Sequence, residues 1–380
     1  MKALTIRMAV LALASLPVLS SRAQQAGPLS NLVLVGYGTT TYNATLNSEF
    51  NNNFGASLSP IALYQMGEDF LFESELEFEL EDAATETELE YAQIDYQGFE
   101  NVQFIAGKFL LPFGLFSERL HPSWINRLPS MPLTYGHAHA GVAEGALLPV
   151  LSDAGLMLRY KQPLSTGWAF DLSAWVTQGP RLVDEAALEE GEHAGAAAKT
   201  LDGDPTDPDH LDEAGELPLV GYGVSFGDNN KNKMLGARLG LVNGYRFEAY
   251  VSGFTAKYDV ESTLDITGLN VAVEWRPGPF NFRGEGLLVR QDFRHEDGIG
   301  TYERTGYYAE VSRRIGAWEP VVRWSQLPEA TLEGEVAAPE RKQLALGLTY
   351  WLDASIPVKM AYLYDSDEVD GLSLQWAFGF

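Results

Sequence analysis

Asp69-Phe70-Leu71-Phe72-Glu73-Ser74-Glu75-Leu76-Glu77-Phe78-Glu79-Leu80 sorts into two faces of opposite chemistry. Phe70, Phe72, Ser74, Leu76, Phe78 and Leu80 fall on one side, and Glu73, Glu75, Glu77 and Glu79 fall on the other. A β-strand, whose side chains alternate from face to face, produces this separation, whereas a helix would scatter both sets around its circumference. Two environments suit such a strand. In a soluble sheet the apolar side meets a core and the acids meet bulk water; in a membrane barrel the apolar side meets lipid and the acids meet a wet lumen.

The rest of the chain favours the barrel. Lys2 and Arg7 precede an apolar run over residues 8–19, followed by Ser21-Arg22-Ala23, which is the layout of a secretory signal with a small-residue cleavage site. Residues 1–23 are therefore expected to be a signal peptide, with the mature chain starting near Gln24. Its removal takes away Lys2, Arg7 and Arg22 but no acid, making the net charge more negative than the −26 of the whole chain. Such acidity repels nucleic-acid phosphates and excludes that class of partner. The chain has no cysteine, so an exported protein of this sequence is held together by burial and hydrogen bonding alone. No later segment offers the roughly 20 unbroken apolar residues of a transmembrane helix, so any spanning is done by strands.

Alternating segments recur at 32–42, 54–65, 70–80, 86–96, 102–108, 154–161, 168–177 and 233–242. They continue at 246–255, 263–275, 280–291, 302–313, 319–326, 342–352, 358–365 and 372–380. This gives about sixteen strands, an even number as in bacterial barrels. Short links at 65–68, 97–101, 242–245, 276–279, 315–317 and 353–356 interleave with longer ones at 42–53, 109–152, 178–232, 292–301 and 328–341. That rhythm is the one expected of short turns on one side of a membrane and loops on the other. Residues 220–226 look strand-like but would break the parity, and are assigned to the long acidic loop 178–232. In the last segment Leu372, Leu374, Trp376, Phe378 and Phe380 share a face, and the chain stops on an aromatic, as in barrel assembly signals. Tyr42, Tyr96, Tyr160, Trp168, Trp275, Tyr302, Tyr350 and Trp351 sit near strand ends, where interfacial girdles form. No repeat or linker divides residues 24–380, which read as one all-β transmembrane antiparallel barrel.

At Gly107-Lys108-Phe109-Leu110-Leu111-Pro112-Phe113-Gly114 the chain resembles the phosphate-selective porin O/P family. Gly306-Tyr307-Tyr308, Trp318-Glu319-Pro320-Val321-Val322-Arg323-Trp324 and Leu346-Gly347-Leu348-Thr349-Tyr350-Trp351-Leu352 extend the resemblance toward the carboxyl end. The resemblance implies a sixteen-stranded, trimeric outer-membrane porin of a Gram-negative bacterium, whose third external loop folds inward to narrow the pore. That loop would be 109–152, following Lys108 and carrying Glu118, Arg119, His121, Arg127, His137 and His139. Charges there would set the field where bulk screening is weakest. The family's better-known members line their pores with arginine and lysine. This chain departs from them with its glutamate ladder, which puts phosphate selectivity in question.

Strand phase adds Arg159, Lys161, Asp171, Arg238, Glu248, Glu274, Glu310, Arg323 and Lys359 to the lumen, together with Arg283 and Glu285 from a strand of ambiguous phase. A lipid-facing Arg or Lys near mid-membrane would cost about 2–4 kcal/mol, which decides for the lumen. With sixteen strands, Arg283 stands half a circumference from the glutamates, and the two walls would set up a transverse field across the pore. The alternative is that Glu73, Glu75, Glu77 and Glu79 form a hydrated face paired with neighbouring strands.

Within loop 178–232, Asp202, Asp204, Asp207 and Asp209 offer oxygen ligands to a divalent cation, but Pro205 and Pro208 interrupt them and the calcium-loop glycine and glutamate are missing. The composition there is that of a solvated loop. His137 and His139 lack a third metal ligand at telling spacing. No catalytic motif of zinc-peptidase, serine-hydrolase or phosphate-loop type occurs. The expected function is passive diffusion of small polar solutes or ions through an outer-membrane porin in contact with lipid, without a cofactor. Two other readings stay open: a plugged barrel whose external loops bind a partner or divalent cation, and a barrel hydrolase with a loop-assembled site.

Overall fold

A computed structural model describes residues 31–46, 52–81, 84–136, 146–149, 151–182, 220–223, 231–295, 298–332, 335–366 and 370–380. The expected signal peptide, His137 and His139, and Asp202, Asp204, Asp207 and Asp209 lie outside the described residues.

Sixteen antiparallel strands close into a barrel. They are β1 (Leu32–Thr45), β2 (Asn52–Met66), β3 (Phe70–Glu81), β4 (Ala84–Phe99), β5 (Val102–Leu110), β6 (Ser152–Pro163), β7 (Trp168–Thr177) and β8 (Met234–Asn243). The second half comprises β9 (Phe247–Lys257), β10 (Asp265–Trp275), β11 (Phe280–His295), β12 (Gly298–Arg313), β13 (Trp318–Leu327), β14 (Arg341–Asp353), β15 (Ile356–Asp365) and β16 (Gly371–Gly379). Each strand pairs with its sequence neighbours, and β16 returns to β1 in a register running from Tyr37 opposite Gly379 to Thr45 opposite Gly371. Gly36 and Phe380 exchange two backbone hydrogen bonds at 3.0 and 2.9 Å, which seals the seam. Closure leaves no edge strand with unpaired amides, the condition a sheet must meet to stand in hydrocarbon.

The outer surface is apolar where water-soluble proteins are polar. Leu239, Val251, Leu269, Val271, Val322, Leu346, Met360, Leu374 and Trp376 are all exposed. So much outward apolar surface marks contact with lipid. At the turn end, aromatic rings link along the wall: Phe70 to Tyr96 at 4.9 Å, Tyr96 to Phe99 at 5.5 Å, and Phe99 to Phe104 at 6.1 Å. Trp275 stacks on Phe282 and Trp318 tilts against Tyr350 at the same end. Amphipathic rings settle at such an interface because one side is apolar and the other wet. The turns there are tight; Gly244, at φ 51°, takes a left-handed conformation that costs other residues strain.

At the other end one connection departs from expectation, and the segment assigned to the long acidic loop stays outside the barrel. The link expected over 292–301 is mostly ladder: β11 runs to His295 and β12 starts at Gly298, with Phe293 paired to Gly300. Phe293 and Tyr302 bury against Ala330 and Ala338 of a small hairpin (Ala330–Leu332 with Glu335–Ala338), so tertiary packing extends strands that turn-forming residues would have ended. Residues Val220–Gly221 pair with Arg181–Leu182 as a separate two-stranded sheet, outside the barrel order.

Placing an arginine in the outward belt tests the assignment of faces. Val271→Arg, at the middle of β10, is expected to destabilise the folded barrel by about 2–4 kcal/mol, read as a lower urea midpoint in lipid vesicles by the heat-modifiable gel shift.

Candidate pore constriction

The interior is built by the connection between β5 and β6. Just before that connection Gly107 distorts β5: at φ 132° it is in a region side chains rarely adopt, and a Cβ there would stand 2.2 Å from the Ala92 carbonyl oxygen. Past it Lys108 bends back over β4, its Nζ donating to the Leu89 carbonyl at 2.7 Å and lying 3.4 Å from Glu88. Phe109, Leu111 and Phe113 then enter the barrel and join Met157, Trp175, Met234, Phe254, Ile266, Leu287 and Val289 in one apolar cluster, with Leu182 and Val220 of the next long connection. Several of these are inward-facing wall residues, so this side of the lumen toward the loop end is packed with hydrocarbon. This resolves the ambiguous phase of β11. Arg283, Glu285, Leu287 and Val289 all face inward, because this wall meets apolar loop side chains as well as water.

The loop next crosses the barrel. One helical turn, Phe116–Leu120, is seated by a buried carboxylate: Glu285 Oε1 accepts from the Leu115 amide at 2.6 Å, from the Tyr135 hydroxyl at 3.2 Å and from Asn270 Nδ2 at 3.4 Å. Glu118 bridges Arg159 of β6 and Arg238 of β8, and Arg238 also reaches Asp171 of β7 at 3.3 Å. Arg119 pairs with Glu248 and donates to Tyr250. The chain then reaches the opposite wall, where His121 Nε2 lies 3.9 Å from Glu75 Oε1. Ser123 accepts from Lys359 through its carbonyl, and Trp124 lies against Gly379. Returning, Arg127 donates to Glu319 at 2.5 Å and lies 4.0 Å from Glu274. Burial and the neighbouring Arg283 hold the Arg127 guanidinium below its ordinary value, in spite of Glu319, Glu310 and Glu274 around it. Leu128 fills a niche opened by Gly347, where a Cβ would stand 2.2 Å from it, and packs on Val321, Ala345 and Ala361. Finally Arg323 binds the carbonyls of Ser130 and Met131 at 2.9 and 2.7 Å.

The charges named from strand phase therefore divide. Arg283 is 4% exposed, held by Glu274 at 2.7 Å and Glu310 at 3.3 Å, and Arg323 is 0% exposed. Both face inward yet lie sealed beneath the loop, so Arg283 does not confront the glutamates across open water. The expected transverse pairing of walls is corrected on this point: the loop intervenes, and desolvated arginines take the nearest carboxylates. Arg238, 5% exposed, is likewise occupied by Glu118 and Asp171. Arg159 and Arg119 keep side chains 32% and 36% exposed beside their carboxylate partners.

The glutamates of β3 face inward, and their apolar alternates face out. Glu75 is 1% exposed and accepts from the Tyr37 hydroxyl at 2.6 Å, while Ser59 Oγ lies 3.5 Å from Glu77. The acidic wall is wider than the ladder. Glu77 stands opposite Glu88 and Glu79 opposite Glu86 on β4, and Asp95 faces inward further along, bonded by Gln93 at 2.8 Å and Gln103 at 2.7 Å. These β4 acids escaped the sequence reading because Glu90 is a bulge residue, with Glu75 paired to Tyr91 but Leu76 to Leu89. One extra residue switches which positions face inward, and alternation across it misleads. A local signal existed in Glu86-Thr87-Glu88, which alternates in phase with the opposing strand.

Of the charged groups where the loop meets the walls, Arg119 and Arg159 keep the most exposure, with Glu118 at 15%, while Asp95 is buried. Like charges in opposition, as at Glu77 and Glu88, disfavour the sheet unless water or cations separate them. Among the described residues no group of three or more His, Asp or Glu is arranged to hold a metal ion.

Removing the loop's seat tests this packing. Glu285→Ala leaves the Leu115 amide and Tyr135 hydroxyl without their acceptor and is expected to cost about 1–3 kcal/mol, read as a lower urea midpoint together with new protease cleavage between residues 109 and 136.

No family model matches the chain, and no curated protein matches it. Solved structures do. An anion-selective porin from Comamonas acidovorans shares 14% identity at a TM-score of 0.57, over 92% of this chain and 99% of that one. The outer-membrane channel DcaP of Acinetobacter baumannii shares 11% at 0.55, over 92% and 97%. OmpT of Vibrio cholerae, in its trimer form, shares 10% at 0.54, over 92% and 99%. At these identities the likeness is one of fold, and it extends along nearly the whole of each chain: the protein has the sixteen-stranded barrel of the outer-membrane porins.

Proposed function

We propose that the protein is an outer-membrane diffusion channel of a Gram-negative bacterium, passing small hydrophilic solutes and ions, with cations preferred. The observation that carries this reading is a closed barrel crossed on its inside by the loop from Phe109 onward, with an acidic inner wall along β3 and β4. In this reading the turn end faces the periplasm and the long connections face outside, as barrel architecture has it. The barrel assembles as a homotrimer, which the trimer form of the Vibrio cholerae neighbour supports by analogy of fold. The Gly107 and Trp318 motifs support kinship with the phosphate-selective porin O/P family at the level of architecture.

Charge distribution argues for cations. The loop-bound arginines are neutralised by adjacent carboxylates, whereas strand register places Leu63 and Gln93 beside Glu73, Glu88 beside Glu77, and Ser57 and Glu86 beside Glu79. Fixed acids in a narrow aqueous path raise the local cation concentration and oppose anions. The neighbour from Comamonas acidovorans is anion-selective; this chain is read as the opposite on the ground of its acidic wall. The apolar packing on one side of the lumen favours the plugged-barrel alternative, and conductance separates the two.

Reconstitution in planar bilayers is expected to give stepwise conductance, with a reversal potential under a potassium chloride gradient on the cation side. Replacing Glu73, Glu77 and Glu79 together by Gln should lower the cation-to-anion permeability ratio by about twofold or more. A channel that is silent, or one whose ratio ignores the triple replacement, would refute the corresponding half of the reading.

A further inference from the structure

The four glutamates of β3 do not stand in equivalent places, and Glu75 differs from the others in its contacts. It is 1% exposed, and one of its oxygens is the acceptor of the Tyr37 hydroxyl at 2.6 Å and the near neighbour of His121 Nε2 at 3.9 Å. The Tyr37 ring meets the imidazole edge-on, with centroids 6.4 Å apart. From behind, His121 Nδ1 is 2.9 Å from the Ser117 carbonyl, so that nitrogen carries the proton and the ring is aimed at the wall. These contacts tie β1 and β3 to the loop at the point where its chain turns from β6 through β9 toward β15. The tie is also thin. Around it the loop is held by buried pairs such as Leu115 with Glu285, but here a single side chain reaches across, and Nε2 makes no hydrogen bond shorter than the 3.9 Å approach.

We infer that Glu75 and His121, supported by Tyr37, form a clasp that sets the free edge of the passage: closed, it confines solute to the gap between the loop and the Asp95–Arg159 sector; open, it widens that gap along β3. Glu75 is thus a positioning residue, separate from the filter charges on either side of it. The inference rests on the channel reading and adds to it which residues govern pore size.

The groups facing His121 are Tyr37 from β1, Glu75 and Glu77 from β3, and Glu90 from β4, the last with Lys108 nearby; its own loop contributes the Ser117 carbonyl. Burial by itself lowers the imidazole, but Glu75, Glu90 and Glu77 outweigh it, so the histidine is held charged above its ordinary 6.5. The sign follows. A raised histidine stabilises the closed clasp fully below that ordinary value, and the stabilisation is lost as pH rises through the shifted one.

The test is single-channel recording of wild type, His121→Ala, Glu75→Gln and Glu75→Asp between pH 6 and 9, with polyethylene glycols of graded size as probes of pore radius. Folding of each barrel is checked by heat-modifiable migration. Wild-type conductance and size limit should both increase on the alkaline side; His121→Ala and Glu75→Gln should show the wide pore at every pH, with conductance raised about twofold, and Glu75→Asp should restore part of the pH step. Because the chain has no native cysteine, a Glu75→Cys, His121→Cys variant joined by a short bismaleimide should stay narrow at all pH. Variants that conduct like wild type at every pH, or a cross-linked form that still widens, would overturn the clasp while leaving the channel intact; a wild type that never conducts would instead overturn the reading on which it rests.

Discussion

Backbone hydrogen bonding in a medium without water is the constraint from which the rest of this structure follows. Each amide of the spanning strands must find a partner within the sheet, and a sheet has no unpaired edge only when its last strand meets its first. The exchange between Gly36 and Phe380, and the register that continues it to Thr45 and Gly371, supply that closure. Once closed, the cylinder has two surfaces with unlike solvents. Strand alternation then becomes a sorting device, sending Leu76 and Phe78 to lipid while Glu75 and Glu77 turn inward.

Inside the cylinder the same rule acts on the crossing loop. Its carbonyls and charged side chains are removed from bulk water, and the wall supplies partners for them: Arg323 for the carbonyls of Ser130 and Met131, Lys359 for that of Ser123, Glu285 for the Leu115 amide. Charges near mid-depth are thus largely consumed in holding the loop. Breaking such a buried pair costs far more than the pair contributes beyond an apolar substitute, so these groups define where the loop lies rather than adding net stability. Glu73, Glu77 and Glu79 of β3 and Glu88 of β4 are not fully buried, and the proposed cation preference is assigned to them for that reason.

The apolar cluster around Phe109, Trp175 and Phe254 backs the crossing loop on one side of the barrel. It occupies the lumen against β5 to β11, and in the proposed channel this leaves the acidic wall of β3 and β4 to the aqueous path. Hydrophobic burial, usually absent from a channel's inner face, here supports the constriction from behind, and the inward leucines of β11 are part of that support.

The sequence by itself determined the number of strands, their order and, outside β4 and β11, which face of each meets lipid, because period-two alternation and turn chemistry are local and repeat along the chain. Glu73 through Glu79 could be turned inward from their neighbours alone, as could Leu374 and Trp376 outward. Tertiary structure decided which inward charges meet water. Arg283 and Arg159 look alike as residues on alternating strands, but one is sealed under the loop and the other keeps a side chain 32% exposed, a difference made by a segment more than a hundred residues distant from the first. The bulge at Glu90 shows the same limit at short range: one inserted residue flips the face of those beyond it, and only the pairing of two strands reveals where that residue has been absorbed.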